Sequence, residues 1–322
     1  IAVIVYHLDS SWLPGGFTGV DIFFVISGYV VSSSVMTRQA DSIRSLLGGF
    51  YSRRVKRLSP ALVAMVLCSS IALTTLLHPQ TRGLRGYYFT AQLAIVGVAN
   101  NQFVVQEEGY FAEGAGALEF NPFTHTWSLG VEEQFYLIFP LFIALGFGRM
   151  VTKTGPDCTR RVWPSALIIL TLAASFALSF YWSVASEATK LLAFYSLPSR
   201  FWQLMAGSLQ FYLERLYGPL ALGKTPKERC WLKYVLVPLE LVAILLLVLT
   251  LALDPVQLGT TFPLPWAMVS VAATCAFMAV GAVPLQRWAC GLRTPLFNRC
   301  LGTAIPVYIG KLSYPLYLFH WP

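Results

Sequence analysis

Apolar stretches of about 20 residues recur along the whole chain, at about 19–36, 58–77, 87–105, 127–147, 163–183, 198–217, 234–253 and 266–285. Each is near the ~20 residues that a helix rising 1.5 Å per residue needs to cross a hydrocarbon core. Only 12% of residues are charged and the mean hydropathy is +0.61, against the roughly 25% charged of an ordinary soluble domain. These features predict an all-α fold, a polytopic transmembrane helical bundle of about 9–10 spans forming one domain over residues 1–322. Residues 1–8 and 312–322 read as fragments of two more spans, truncated at both ends of the chain. The opening IAVIV is no signal peptide, because it lacks a basic leader and a small-residue cleavage site.

The net charge of +8 points to membrane orientation rather than nucleic acid, because of where the charges stand. Residues 38–57, 148–163, 214–233 and 286–311 hold 19 of the 23 Lys and Arg, which assigns those loops to the cytoplasm. Between Gly86 and Gly148 there is no Lys or Arg, while Glu107, Glu108, Glu113 and Glu119 cluster there, so that segment is expected outside. If 58–77 and 87–105 both cross, this charge rule inverts for much of the chain. The polar residues Asn100, Asn101 and Gln102 favour a re-entrant or partly inserted 84–105; the alternative is ten full crossings. Of the six cysteines, Cys68 and Cys275 lie in apolar spans and Cys158, Cys230, Cys290 and Cys300 on or beside basic loops, with no C-x-x-C spacing, so neither a disulfide framework nor a metal site is expected.

Titratable residues set into apolar sequence mark where chemistry is to be sought, since burying them unpaired costs several kcal/mol. The run YHLDSSWLPGGFTGVDIFFVISGYV places His7 at the end of one apolar stretch and Asp21 inside the next. FYSRRVKRLSPAL gathers Arg53, Arg54 and Arg57 before Pro60; such a cluster either holds phosphates or anchors a helix at the headgroups. THTWSLGVEEQFYLIFP carries His125 and Trp127 near the outer boundary, with Glu132 and Glu133 one to two turns further in. Adjacent glutamates point about 100° apart on a helix, so one at most faces a given cavity. KLSYPLYLFHWP interleaves Ser313, Tyr314, Tyr317 and His320 with apolar residues, and LPSRFWQLMAGSL offers Arg200 and Gln203 as cavity-lining candidates. An aromatic belt and interfacial reach are the structural readings of these last two.

Together YH followed by PGGFTGVDIFFVISGY, then YSRRVKRLSP, THTWSLGVEEQFYLIFP, SRFWQLMAGSL and GKLSYPLYLFHWP resemble the acyltransferase 3 family of membrane O-acyltransferases. That family includes O-antigen acetyltransferases and the membrane half of proteins with an SGNH-type domain. The resemblance implies transfer of an acyl group, often acetyl, from acyl-CoA to a hydroxyl of a cell-envelope glycan or lipid-linked saccharide in the plasma (inner) membrane. It implies no permanently bound cofactor, and an SGNH-type domain beyond Pro322 would fit it. By the resemblance His7 matches the essential histidine and Arg53, Arg54 and Arg57 the arginine motif. Gln203 stands where the family has glutamate, and the family's arginine before the histidine falls upstream of Ile1.

The chemistry suits those residues. A neutral imidazole is matched to deprotonating an acceptor hydroxyl, so His7 is the expected base, with Asp21 orienting its ring. The arginines are expected to hold CoA phosphates and Glu132 or Glu133 to organise the acceptor side, with His125, Trp127, Arg200, Gln203, Tyr314 and His320 as substrate-binding candidates. The competing classes are a transporter using buried His, Asp and Glu as an ion or proton path, which needs no CoA, and a membrane scaffold, in which replacing His7 changes only stability.

Overall fold

The computed structural model describes residues 1–37, 42–81, 83–105, 120–151, 162–217, 232–255, 258, 262–285 and 295–322. Glu107, Glu108, Glu113, Glu119, Cys158, Cys230 and Cys290, with much of the basic loops at 148–163, 214–233 and 286–311, lie outside the described residues. Helix α1 (Ala2–Leu8) leads through a 3-10 turn (Gly16–Thr18) into α2 (Gly19–Met36), followed by α3 (Ile43–Leu76), α4 (Leu84–Val96), α5 (Ala99–Val105) and α6 (Thr126–Val151). Then come α7 (Val162–Ala185), α8 (Glu187–Tyr195), α9 (Leu197–Tyr217), α10 (Leu232–Ala252), α11 (Trp266–Leu285), α12 (Leu296–Leu301) and α13 (Ala304–Phe319). No strand occurs among the described residues, and the fold is the expected all-α polytopic bundle. Four helical stretches, Gly16–Met36, Ile43–Leu76, Ala166–Ala185 and Tyr234–Ala252, are long and apolar enough to cross a membrane. The chain is an integral membrane protein.

Two helix starts differ from expectation. Helix α3 begins at Ile43, where the Ser42 hydroxyl accepts from the Ser45 N–H at 3.1 Å, so Arg53, Arg54 and Arg57 sit on the helix and not in a loop before it. Strong helix formers among Arg53–Leu58 let the helix run on, and Pro60 is accommodated inside it. Helix α13 begins at Ala304, inside the segment assigned to a basic loop, with Lys311 as its one cation.

Segment 84–105 is broken into two helices, α4 and α5. Helix α4 has 13 residues, roughly 20 Å, and stops at Gly97, whose φ of 75° is left-handed. The break lies beside α6, where the Gln134 amide donates to the Gly97 carbonyl at 3.0 Å and to Asn100 Oδ1 at 2.7 Å. Asn100 in turn donates to the Tyr195 carbonyl at 2.9 Å, so Gln134 of α6 satisfies the interrupted backbone at Gly97 and Asn100 the end of α8. A Cβ on Gly97 would run into the Glu133 side chain. Gly97→Ala is therefore expected to lower the thermal midpoint of the detergent-solubilised protein, by the ~1–2 kcal/mol of left-handed strain plus the displacement of Glu133. Gly86→Ala, whose Cβ would enter open space, is expected to leave the midpoint in place.

The centre of the bundle is the α2–α9 pair. These helices run parallel, with Asp21 opposite Arg200 at one end and Arg215 Nη1 on the Met36 carbonyl, 2.8 Å, at the other. Between them Gly28 lies against the Leu204 backbone and Gly207 against the Val25 carbonyl, at a distance only a residue without a side chain permits. Phe24, Val31, Leu204 and Met205 close this core, joined by Trp127, Phe135 and Phe139 of α6. Helix α13 packs parallel to α3, with the Tyr314 hydroxyl on the Leu58 carbonyl at 3.2 Å and Leu318 among Leu62, Met65 and Val66. On the far side Glu240, buried in the most apolar span, accepts from the backbone N–H and the side-chain amide of Asn298, both at 2.9 Å, and so ties α12 to α10.

Candidate active site

Three of the four histidines meet at one end of the bundle. His7 comes from the last turn of α1, His125 from the residue before α6, and His320 from the end of α13. His7 Nδ1 lies 2.8 Å from His320 Nε2, with the two rings stacked at 5.1 Å and 14°. The His125 ring stands edge-on to His320 at 5.4 Å. It is 1% exposed, and neither ring nitrogen has a hydrogen-bond partner of normal geometry.

Tyr317 stitches this cluster to α6. Its hydroxyl donates to the His125 carbonyl at 3.0 Å and lies 2.6 Å from Ser128 Oγ, while its own carbonyl lies 2.5 Å from His320 Nδ1. Trp321 braces the other side, donating from Nε1 to the Asn121 carbonyl at 2.8 Å and setting its ring edge-on to His7 at 4.4 Å. Tyr317 stands in the run already marked by Tyr314 and His320, whereas Ser128 and Trp321 were not singled out from the sequence. Tyr317 and Ser128 read as aromatic belt and helix start, and only the contact between distant segments gives them a role.

A partly open cavity of about 130 Å³ lies between α1, α2, α6 and α13, with Val20, Phe23, Ser128, Leu129, Tyr314 and Tyr317 in its wall. Its wall holds no histidine or arginine among the described residues, but Tyr317 in that wall packs on the rings of His125 and His320, and Tyr314 bonds to the Leu58 carbonyl of α3. Arg54 turns inward, with its guanidinium 3.5 Å from the centre of the Tyr136 ring, whereas Arg53 and Arg57 are exposed. The parallel packing of α3 and α13 puts the arginines roughly 15 Å from the histidines along the bundle, six residues up α13 and four down α3.

Of the two glutamates, Glu132 is buried and accepts a short hydrogen bond from Ser27, whose hydroxyl also lies 2.6 Å from the Tyr136 hydroxyl. It is within electrostatic range of Arg54 and Arg57. Glu133 points the other way, onto Gly97. The helical offset that allowed one glutamate toward a shared cluster thus selects Glu132. Glu132→Ala, which strands the Arg54 charge, is expected to cut the yield of monodisperse protein in size-exclusion chromatography. The lost hydrogen bond costs ~1–3 kcal/mol, and Glu133→Ala is expected to lose less.

Asp21, Arg200, Gln203 and Trp127 form a separate buried cluster at 1%, 1%, 0% and 3% exposure. Asp21 Oδ1 accepts from Arg200 Nη1 at 2.9 Å, and Arg200 Nε donates to the Phe194 carbonyl at 2.8 Å. The guanidinium lies among the rings of Trp127, Phe194 and Phe262 at 5.1–5.8 Å. Gln203 lies next to Asp21 without closing a hydrogen bond of normal geometry. This corrects the expectation that Asp21 orients the His7 ring: Asp21 is committed to Arg200, and the ring against His7 is that of His320. Arg200, Gln203 and Trp127 likewise pack in the core rather than in the cavity wall. A buried cation needs its counter-charge more than a neutral imidazole does, so Arg200 takes the carboxylate.

Among the described residues no group of histidine, cysteine and carboxylate side chains is arranged to hold a metal ion. What the histidine cluster offers is proton transfer, next to an apolar cavity that shares Tyr317 with it.

The family of acyltransferase domains known as acyltransferase 3 matches residues 1–322. O-acetyltransferase OatA of Staphylococcus aureus strain NCTC 8325 / PS 47 is 28% identical over 322 residues, covering 100% of this chain and 48% of its own length. OatA of Staphylococcus aureus strain COL aligns with the same identity and coverage. The chain spans about half the length of the curated relatives it matches. No solved structure matches it significantly.

Proposed function

This chain belongs to the acyltransferase 3 family, and on that premise we propose that it is the membrane domain of an O-acyltransferase. It moves an acetyl group from acetyl-CoA to a hydroxyl of a cell-envelope glycan or lipid-linked saccharide, as a multi-pass protein of the plasma membrane. The observation that carries this reading is the meeting of His7, His125 and His320 beside an apolar cavity that shares Tyr317 with them. The name of the OatA relatives, O-acetyltransferase, supports the acetyl donor group.

In this reading the phosphates of CoA rest on the arginine face of α3, and its thioester end reaches up the cavity. The acceptor hydroxyl arrives from the histidine end, where His7 takes its proton as the oxygen attacks the thioester carbonyl. The carbon–sulfur bond breaks, and the proton held on His7 passes to the leaving CoA sulfur. The ester product and free CoA then depart toward opposite ends. The apolar wall formed by Val20, Phe23 and Leu129 keeps water from competing for the acyl group.

The test supplies radiolabelled acetyl-CoA to membranes carrying the whole protein and follows label into envelope glycan. Incorporation above that of membranes lacking the protein is the expected result. No incorporation, with ion flux through reconstituted protein instead, would replace this reading by that of a transporter.

A further inference from the structure

We propose that His320 is the positioning partner of His7: it fixes which nitrogen of His7 receives the acceptor proton and shares the charge that forms. The inference rests on the acyltransferase reading above and deepens it.

The argument begins with a carbonyl. The last carbonyls of a helix lack intrahelical donors, and the Tyr317 carbonyl, three residues before His320 at the end of α13, faces His320 Nδ1 at 2.5 Å. A carbonyl only accepts, so Nδ1 of His320 carries the hydrogen. In the neutral ring Nε2 is then the acceptor. The group facing it at 2.8 Å is His7 Nδ1, which must therefore be the donor. That leaves the basic lone pair of His7 on Nε2. The hydrogen-bond partners thus assign a directed chain, from His7 Nδ1–H to His320 Nε2 and from His320 Nδ1–H to the Tyr317 carbonyl.

A carboxylate fills the corresponding place in hydrolase triads, holding the tautomer and stabilising the imidazolium. Here Asp21 is occupied by Arg200, and a second imidazole takes that place. When His7 Nε2 accepts the hydroxyl proton, its Nδ1 proton can move to His320 Nε2, which spreads one positive charge over two rings. As the thioester collapses the Nδ1 proton returns, and the Nε2 proton leaves with the CoA sulfur, so the pair ends as it began. The bracing by Trp321 and Tyr317 holds both rings in this arrangement.

The test compares wild type, His7→Ala, His320→Ala, His320→Gln and His78→Ala as whole proteins in membranes at matched levels, using labelled acetyl-CoA. Exposed His78, the fourth histidine, is the control expected to behave as wild type. His320→Ala is expected to lose about 100-fold in kcat with the acetyl-CoA KM unchanged, because the tautomer of His7 is no longer fixed. In His320→Gln the side-chain oxygen still accepts from His7 Nδ1 but cannot keep its proton, so a loss of about tenfold is expected.

The inference is overturned if His320→Ala keeps the wild-type kcat, if only KM changes, or if glutamine rescues nothing relative to alanine. Should the alanine variant not accumulate, the glutamine variant decides: wild-type kcat, or a change in KM alone, sinks the proposal. A wild type that transfers no label overturns the acyltransferase reading and this inference with it. An active wild type with an active His320→Ala removes the inference alone.

Discussion

Replacing His7 by alanine is expected to cut acetyl transfer by about 100- to 10,000-fold, the usual contribution of a general base. The acetyl-CoA KM should stay near its wild-type value, because the arginines of α3 stand roughly 15 Å from the histidines along the bundle. Folding is expected to survive, since His7 is only partly buried and its neighbours Trp321 and His320 keep their own bonds to Asn121 and Tyr317. The measurement is label moved from acetyl-CoA to envelope glycan, at matched protein levels confirmed by immunoblot. Full transfer by the variant would make His7 structural and remove the mechanism. A matched loss of transfer and of monodisperse protein would show that the ring holds α1 in place instead.

How far this site was legible in the sequence follows from how local each signal is. Span lengths are local, and the apolar runs therefore gave the bundle. Asn100–Gln102 marked 84–105 as the most polar segment, but not the position of its break at Gly97, because the residue that satisfies the freed backbone there, Gln134, comes from α6. His7 and Glu132 stood out as titratable groups in apolar sequence. Their partners did not, because pairing in a helical bundle is set by packing between segments far apart in the chain.

His320 alone was a weak signal, offered as a substrate-binding candidate and not as a partner of His7, and its bond to His7 spans nearly the whole chain. Ser27 and Tyr136, which hold Glu132 in place, carried no signal as an ordinary serine and tyrosine in apolar helices. Two pairings were within reach. Asp21 and Arg200 are opposite charges in separate apolar segments, and the cost of burying either alone pointed to the other. Glu240, the lone carboxylate of the most apolar span, required a donor by the same argument and finds it in Asn298.

Asp21→Ala is expected to be the most destabilising single change in the bundle, because it leaves the Arg200 charge buried among three aromatic rings with the Phe194 carbonyl in place of a counter-ion. Breaking a buried pair from one side costs about 3–5 kcal/mol, comparable with the ~5–15 kcal/mol by which a typical protein is stable. The variant should therefore show a sharply lowered thermal midpoint in detergent and little monodisperse protein. Removing both charges has a different consequence. In Asp21→Leu with Arg200→Met no ion remains to be desolvated, and the apolar surroundings of Phe24, Trp127 and Phe194 can close over the new side chains. Most of the lost stability is expected to return, as it does when buried pairs elsewhere are replaced by apolar residues. A double variant as unstable as Asp21→Ala would refute this account of the pair. If the double variant folds and transfers acetyl groups, the pair serves the α2–α9 contact alone. If it folds and does not, the pair also acts on the reaction, and its route to the histidines runs through Trp127, which packs on Arg200 two residues from His125.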